Sequence, residues 1–427
     1  MKLAVNGGTP VRTEPFPAYR TIGSEEKAAV MEVLDSGVLS RYLGCWHDDF
    51  LGGPQVRELE KEWAKFFGTR HAVTVNSCTS GLYCAVGAAG IEPGEEIIVS
   101  PYTMSASATA PLVYNAVPVF ADIEEDCYCL NPDSIKQRIT PATKAIIIVD
   151  IFGLPYDAEA VNAIAEEHGL VVIEDCAQAP GAKYKERFAG TLGDMGVFSL
   201  NYHKHIHSGE GGVVVTDDDE LAERLRLIRN HAEAVVEKMG RKNLVNMIGF
   251  NYRMTEMEAA VARCQLKKLP GLLAERQKNC EYLITNLADI PVITPPKIRE
   301  ECEHAFYVFA SKFDSESAGV SRETFVNAVK AELPVTELRE GEGVLISCGY
   351  VKPLYLSPMF QEKTAYGSEH YPFRKKHDYS KGICPVAERM HFSDLFSHEL
   401  MRPGMTEKDL DDVITAFHKV WKHRDEL

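Results

Sequence analysis

Between residues 71 and 216 two spacings of apolar residues take turns. Short unbroken apolar runs predict strands at 72–75, 96–99, 117–121, 144–149, 170–174, 196–200 and 212–216. Between several of them apolar residues recur every three or four positions, which predicts helices at 79–89, 104–114 and 158–168. Such alternation predicts an α/β fold, a mostly parallel sheet with helices on both faces. The run Ile146-Ile147-Ile148-Val149 shows no polar alternation, as a strand buried on both sides requires. Upstream, Ser24 followed by Glu25 and Glu26 opens a helix that closes near Gly37. Pro54 opens another, with Val56, Leu59, Trp63 and Phe66/Phe67 on one face.

Near residue 260 the rhythm changes. Helices are predicted at 255–269 and 271–287, on either side of Pro270, then a strand at 305–313 and helices at 322–333 and 406–423. The chain therefore divides into a Pro-, Gly- and Thr-rich arm at 1–23, a large domain at 24–260 and a smaller C-terminal α/β domain at 261–427. An arm of this kind often wraps a neighbouring subunit. Residues 335–385 form a weakly periodic insert, and so long an irregular stretch is usually functional or poorly ordered.

Composition changes this picture mainly by exclusion. A hydrophobic fraction of 45% with 25% charged residues is ordinary for a soluble globular chain. The net charge of -16 argues against nucleic-acid binding, which needs clustered Lys and Arg, but leaves room for a local basic pocket. No apolar run reaches membrane-spanning length, and the N-terminus lacks the apolar segment of a signal peptide, so a cytoplasmic protein is expected. The 11 cysteines are odd in number and show no repeated C-x-x-C, which predicts reduced thiols and neither disulfides nor a zinc site.

Candidate chemistry stands at the carboxyl ends of the predicted strands, where open parallel sheets bind ligands. After 72–75 come Asn76-Ser77-Cys78-Thr79-Ser80-Gly81, small and hydroxylated residues opening a helix. A helix start of this kind can cradle an anion, although an ordinary cap explains Thr79 equally well. Asp175 closes the strand at 170–174 and needs a cationic or N–H partner there. The ring nitrogen of a pyridine cofactor is one candidate, and capping of the following segment is the plain alternative. Lys204 follows on the connection between two strands, after Ser199 and before Gly209-Glu210-Gly211-Gly212. A lysine in a protected cleft can lose its proton and form a Schiff base with a carbonyl, whereas an exposed one is only a charge in a glycine-rich turn. An anion cradle, a strand-end Asp and a loop Lys, in this order, match what pyridoxal 5'-phosphate (PLP) needs.

The stretches 53–60, 76–82, 94–99, 173–179, 198–212 and 249–254 carry a closer likeness. With Pro385-Val386-Ala387-Glu388-Arg389 and the closing helix, they resemble the DegT/StrS-type PLP-dependent sugar aminotransferases over nearly the whole chain. The resemblance implies PLP transferase fold type I. It implies that Lys204 is the catalytic lysine that binds the aldehyde and moves protons, that Asp175 holds the pyridine nitrogen, and that Gln178 lies near the ring oxygen. Cys78, Thr79 and Ser199 would bind the phosphate, and Asn251 would complete that site from the partner subunit of a homodimer. Met104 stands where the family usually places an aromatic residue that stacks on the ring, so either Met104 packs there as a sulfur contact or neighbouring Tyr102 takes part. Cys78 replaces a usual glycine, and Asp150 a common histidine, which suggests an altered substrate pocket.

By the same resemblance the reaction is a ping-pong transfer of an amino group from glutamate or glutamine to a nucleotide-linked keto sugar or a keto cyclitol. The opening Gly7-Gly8-Thr9-Pro10 and the insert lean toward the inosose branch. A PLP-dependent lyase or dehydratase, and a non-catalytic sugar-sensing relative, are the alternatives. In dehydratase members a histidine replaces the lysine, so Lys204 favours amino transfer. His203, His205 and His207 alternate around Lys204 and would share one face if extended. Next to such a lysine they suit a substrate phosphate, a partner subunit or solvent better than a metal.

Overall fold

The computed structural model describes residues 2–373 and 377–427, so three residues of the expected 335–385 insert lie outside the described part. A seven-stranded sheet forms the centre. Its strands are β1 (His71–Val75), β2 (Glu96–Val99), β3 (Val117–Phe120), β4 (Thr143–Val149), β5 (Val171–Asp175), β6 (Met195–Ser199) and β7 (Gly212–Thr216), in the spatial order β1-β7-β6-β5-β4-β2-β3. Only β7 runs antiparallel to its neighbours β1 and β6. The other pairings are parallel, and the all-apolar interior of β4 is buried on both sides.

Helices α1 (Ser24–Ser36), α2 (Pro54–Phe67), α3 (Cys78–Ala88), α4 (Ala106–Val113), α5 (Pro132–Arg138), α6 (Ala158–His168) and α7 (Asp219–Arg229) belong with this sheet. On α2, Val56, Leu59, Trp63 and Phe67 are buried, the stripe that the sequence spacing predicts. The predicted set omits α5 and α7, of which α5 is short and both are rich in charge.

One element departs from expectation. The two helices predicted around Pro270 are a single 32-residue helix, α8 (Glu256–Leu287), opened by a capping box between Thr255 and Glu258. Leu266, Leu269, Leu273, Arg276, Cys280, Leu283 and Leu287 are buried at alternating three- and four-residue steps straight through the proline. An interior proline costs about 3 kcal/mol, and burying each leucine returns roughly 1.5–3 kcal/mol, so the continuous stripe outweighs the break.

The N-terminal half of α8 packs on α1 and α2, and its C-terminal half on a smaller unit. That unit has a sheet of β8 (Ile293–Thr294), β9 (Phe309–Phe313), β10 (Ile346–Cys348) and β11 (Leu395–His398), with α9 (Arg322–Glu332) and α10 (Glu407–Lys422). The arm lies on this unit. Ala4 N donates to Glu332 at 2.8 Å, Arg12 pairs with Asp409 at 2.6 Å and Asp412 at 3.1 Å, and Lys419 donates to Thr9 O at 2.8 Å. Within the insert, Tyr355, Phe360 and Tyr379 are buried in the core cluster of the large sheet, packed around Phe120 of β3, and Phe373 packs on Phe360 and Tyr379. No helix is long and apolar enough to cross a membrane among the described residues.

Candidate functional site

The carboxyl ends of β1, β5 and β6 converge on one cavity of about 420 Å³, within the usual size of small-molecule sites. Cys78, Thr79, Met104, Asp175, Gln178, Ser199 and Lys204 all line it. Two surface concavities are larger, about 570 and 720 Å³, but neither gathers a lysine with a strand-end carboxylate.

At the end of β1, Ser77 caps α3, its Oγ accepting from Ser80 N at 3.0 Å. The next amides, Cys78 N and Thr79 N, belong to the first turn and have no acceptor within the helix. The start of β7 presses against this turn. A Cβ on Gly212 would sit 2.8 Å from Cys78 N and from the Ser77 carbonyl, so Gly212 is a glycine because backbone meets backbone there.

Asp175 is buried at the end of β5. One carboxylate oxygen accepts from Ser107 Oγ at 2.6 Å, and the other from Ala177 N at 3.2 Å, with Cys78 Sγ 3.9 Å away. Burial raises its pKa, against the lowering effect of the Ser107 hydroxyl, the Ala177 amide and the Lys204 charge. Burial, then Asp175, pushes the Cys78 thiol well up, so it stays protonated. Asp175 is thus a desolvated carboxylate without a salt bridge among the described residues, facing a cavity that holds room for a cationic N–H.

Lys204 follows a tight turn in which its N–H donates to Asn201 O at 2.9 Å. Its Nζ lies 4.3 Å from the centre of the Tyr307 ring. Gln178 is fixed at both ends: its Oε1 accepts from Phe152 N at 2.8 Å, and its Nε2 donates to Tyr350 OH at 3.1 Å. Met104 stands at the mouth, 59% exposed. Tyr102 is buried in the core, where its OH accepts from Tyr350 N at 2.9 Å, and does not line the cavity.

Asn251 is the one expected site residue that the chain does not bring to this cavity. It is exposed, its Oδ1 accepting from Arg253 Nε at 2.7 Å. Asp150 does not reach the cavity either; it is buried behind β5, its carboxylate against Cys176 Sγ at 3.2 Å and Tyr156 N at 3.1 Å. With Glu174 and Cys176 it forms a tight acidic cluster, but Glu174 is occupied by the N–H groups of Gly190, Leu192 and Gly193 at 2.6–2.7 Å. The three histidines part company because the segment turns instead of extending. His203 lines the cavity, His205 is buried with Nε2 2.8 Å from Ala305 O, and the His207 amide faces Gln265.

Ser107, Tyr307 and Tyr350 escaped the sequence reading. Ser107 sits in a helix of small residues, Tyr307 just before a strand, and Tyr350 in the irregular insert, so none had a local signal beyond a polar atom among apolar neighbours.

Comparison with known proteins finds relatives along nearly the whole chain. A model of the DegT/DnrJ/EryC1/StrS aminotransferase family matches residues 20–418. The spore coat polysaccharide biosynthesis protein SpsC of Bacillus subtilis is 33% identical over 410 residues, covering 95% of this chain and 96% of SpsC. An L-glutamine:2-deoxy-scyllo-inosose aminotransferase of Streptoalloteichus tenebrarius is 33% identical over 439 residues, covering 100% and 99%. Among solved structures, DesI in the presence of its TDP-sugar product superposes with a TM-score of 0.81 at 27% identity, covering 99% of this chain and 97% of DesI.

Proposed function

Because the chain belongs to the DegT/DnrJ/EryC1/StrS aminotransferase family, we propose that it moves an amino group from glutamate or glutamine to a keto cyclitol or a nucleotide-linked keto sugar, with PLP in the Lys204 cavity. The observation that carries the reading is the meeting of Lys204, Asp175, Ser199 and the open first turn of α3 in one cavity. A desolvated carboxylate and free helix-terminal amides in one cavity are the complements of a pyridine nitrogen and a phosphate.

When bound, PLP supplies an aldehyde to take the amine and a ring to stabilise charge at the adjacent carbon. Asp175 holds the ring nitrogen, kept in place by Ser107 and Ala177 N. Thr79, Cys78 N and Ser199 hold the phosphate, and Gln178 orients the ring oxygen from its place on Phe152 N and Tyr350 OH. Lys204 Nζ would be the base that takes the proton from the donor's α-carbon and the acid that gives it up at the carbon across the nitrogen, which is general acid–base work by a positioned amine. Met104 covers the open face at the mouth. Asn251, exposed in one chain, serves the phosphate cradle of a second copy, so that a homodimer is the working unit.

The inosose aminotransferase, which aligns over the entire chain, supports a cyclitol acceptor; the DesI likeness supports a nucleotide-linked sugar. The test is the absorbance spectrum of the purified protein with PLP, before and after glutamate or glutamine, beside Lys204→Ala. A visible band bleached by donor in the native enzyme and not formed in the variant is expected. A protein that takes up no PLP would return Lys204 to a plain turn.

A further inference from the structure

Beside the Lys204 cavity lies a second one of about 280 Å³, between the arm at Tyr19 to Ile22 and the smaller unit at Arg339 and Arg402. Tyr202 and His203 line both cavities, so a single ligand can reach from one into the other. Arg402 is only 7% exposed, and its Nε has no hydrogen-bond partner. Its carboxylate neighbour, Glu399, is shared with Arg339, which pairs with it at 3.0 Å. Behind them Arg276 donates to the carbonyls of Phe306 at 3.1 Å and Tyr307 at 3.3 Å and has no ion pair among the described residues. Arg276 and Arg402 both lie against the Tyr19 ring, at 5.5 and 5.8 Å. Arg339 is also held by Glu342 at 2.5 Å, and Arg20 lies 3.8 Å from Glu337, so the carboxylates Glu337, Glu342 and Glu399 face the guanidinium groups of Arg20, Arg339 and Arg402, with Arg276 behind them as the uncompensated cation among the described residues. Burial, then Arg339 and Arg276, draws the Arg402 pKa down to about 9.

We propose that this second cavity is an oxyanion subsite and that its occupant is a carboxylate of the amino donor, gripped by Arg402 with Arg339 beside it. Arginine suits the task because its fork of donors matches a carboxylate. The assignment rests on the amino-transfer reading. It favours the donor because glutamate and glutamine always carry a carboxylate, whereas a cyclitol ketone carries no charge. The phosphate of a nucleotide-linked acceptor has the same chemistry and is the source the test must separate.

The probe is glutarate, a dicarboxylate without an amino group, titrated calorimetrically into the holoenzyme, with pyrophosphate titrated in parallel. Native protein is expected to bind glutarate more tightly than pyrophosphate. Arg402→Gln should weaken glutarate at least tenfold, and Arg402→Lys should restore part of the loss. Arg20→Gln, at the rim with its side chain 64% exposed, should weaken glutarate two- to threefold and keeps the question answerable if the Arg402 variants fail to fold. Unchanged glutarate affinity in the variants overturns the subsite. Tighter binding of pyrophosphate that vanishes in Arg402→Gln overturns the donor assignment. Since glutarate cannot react, these outcomes are independent of donor bleaching in the native enzyme, whose absence would instead refute the amino-transfer reading.

Discussion

Ser107 donates a 2.6 Å hydrogen bond to Asp175 from a helix two strands away in the sheet order. It stabilises the ionised form of a carboxylate that burial otherwise drives toward neutrality. Ser107→Ala should therefore raise the Asp175 pKa further and weaken PLP binding about 10- to 150-fold, the worth of a hydrogen bond to a charged group, roughly 1.5–3 kcal/mol. Cofactor titration by absorbance checks this. Equal affinity in the variant would mean that Asp175 does not depend on Ser107.

Gly212→Ala should cost more, because its Cβ would meet backbone atoms of Ser77 and Cys78. Pushing β7 away from α3 distorts the cradle and overpacks it, at about 1–3 kcal/mol of stability. Urea denaturation should show the loss, and PLP affinity should fall with it. Gly209→Ala, where a Cβ meets open space, separates crowding from the loss of a glycine as such, although its positive φ carries some strain of its own.

Pro270→Ala should stabilise the protein. The proline is exposed on α8, and alanine would restore a backbone donor in mid-helix without disturbing the buried stripe. A gain of about 1–3 kcal/mol in the urea transition is expected, the upper figure being the full propensity difference. A loss would show that the helix at 270 depends on the proline ring.

Acid should weaken the smaller unit through two buried imidazoles. Phe306 N donates to His304 Nδ1 at 2.8 Å, and Leu400 N to His398 Nδ1 at 3.2 Å, so both rings must be neutral there. Burial lowers each pKa to about 3. The unfolded chain binds these protons as pH falls through about 6.5, while the folded chain resists until far lower. Stability is thus fully present above that value and declines below it, by up to about 1.4 kcal/mol per pH unit for each ring. Urea midpoints between pH 7.5 and 5 should fall less steeply in His398→Asn, and an unchanged slope would count against the assignment.

Much of the large sheet was legible because parallel strands buried on both faces need continuous apolar runs such as Ile146–Val149. Lys204, Asp175 and Thr79 were legible because chemistry at strand ends leaves polar residues where the apolar run stops. What stayed hidden depends on contacts distant in sequence. Nothing near Tyr350 shows that its hydroxyl will meet Gln178, 172 residues away. Arg402 reads as an ordinary charge until the fold buries it beside Tyr19. Pro270 misled because local propensity favours a break, and only packing on both halves overrides it.

The hold of the arm on α9 and α10 also bears on how the chain is made. Thr9 and Arg12 find Lys419, Asp409 and Asp412 about four hundred residues downstream. At roughly 5–20 residues per second, translation leaves the arm without those partners for some 20–80 s. Its apolar anchors Leu3 and Phe16, both buried in the finished molecule, stay open to solvent or to a chaperone for that interval. Tyr19 to Ile22, and with them one wall of the anion-binding cavity, can settle only afterwards, so ligand competence should be among the last properties a nascent chain acquires.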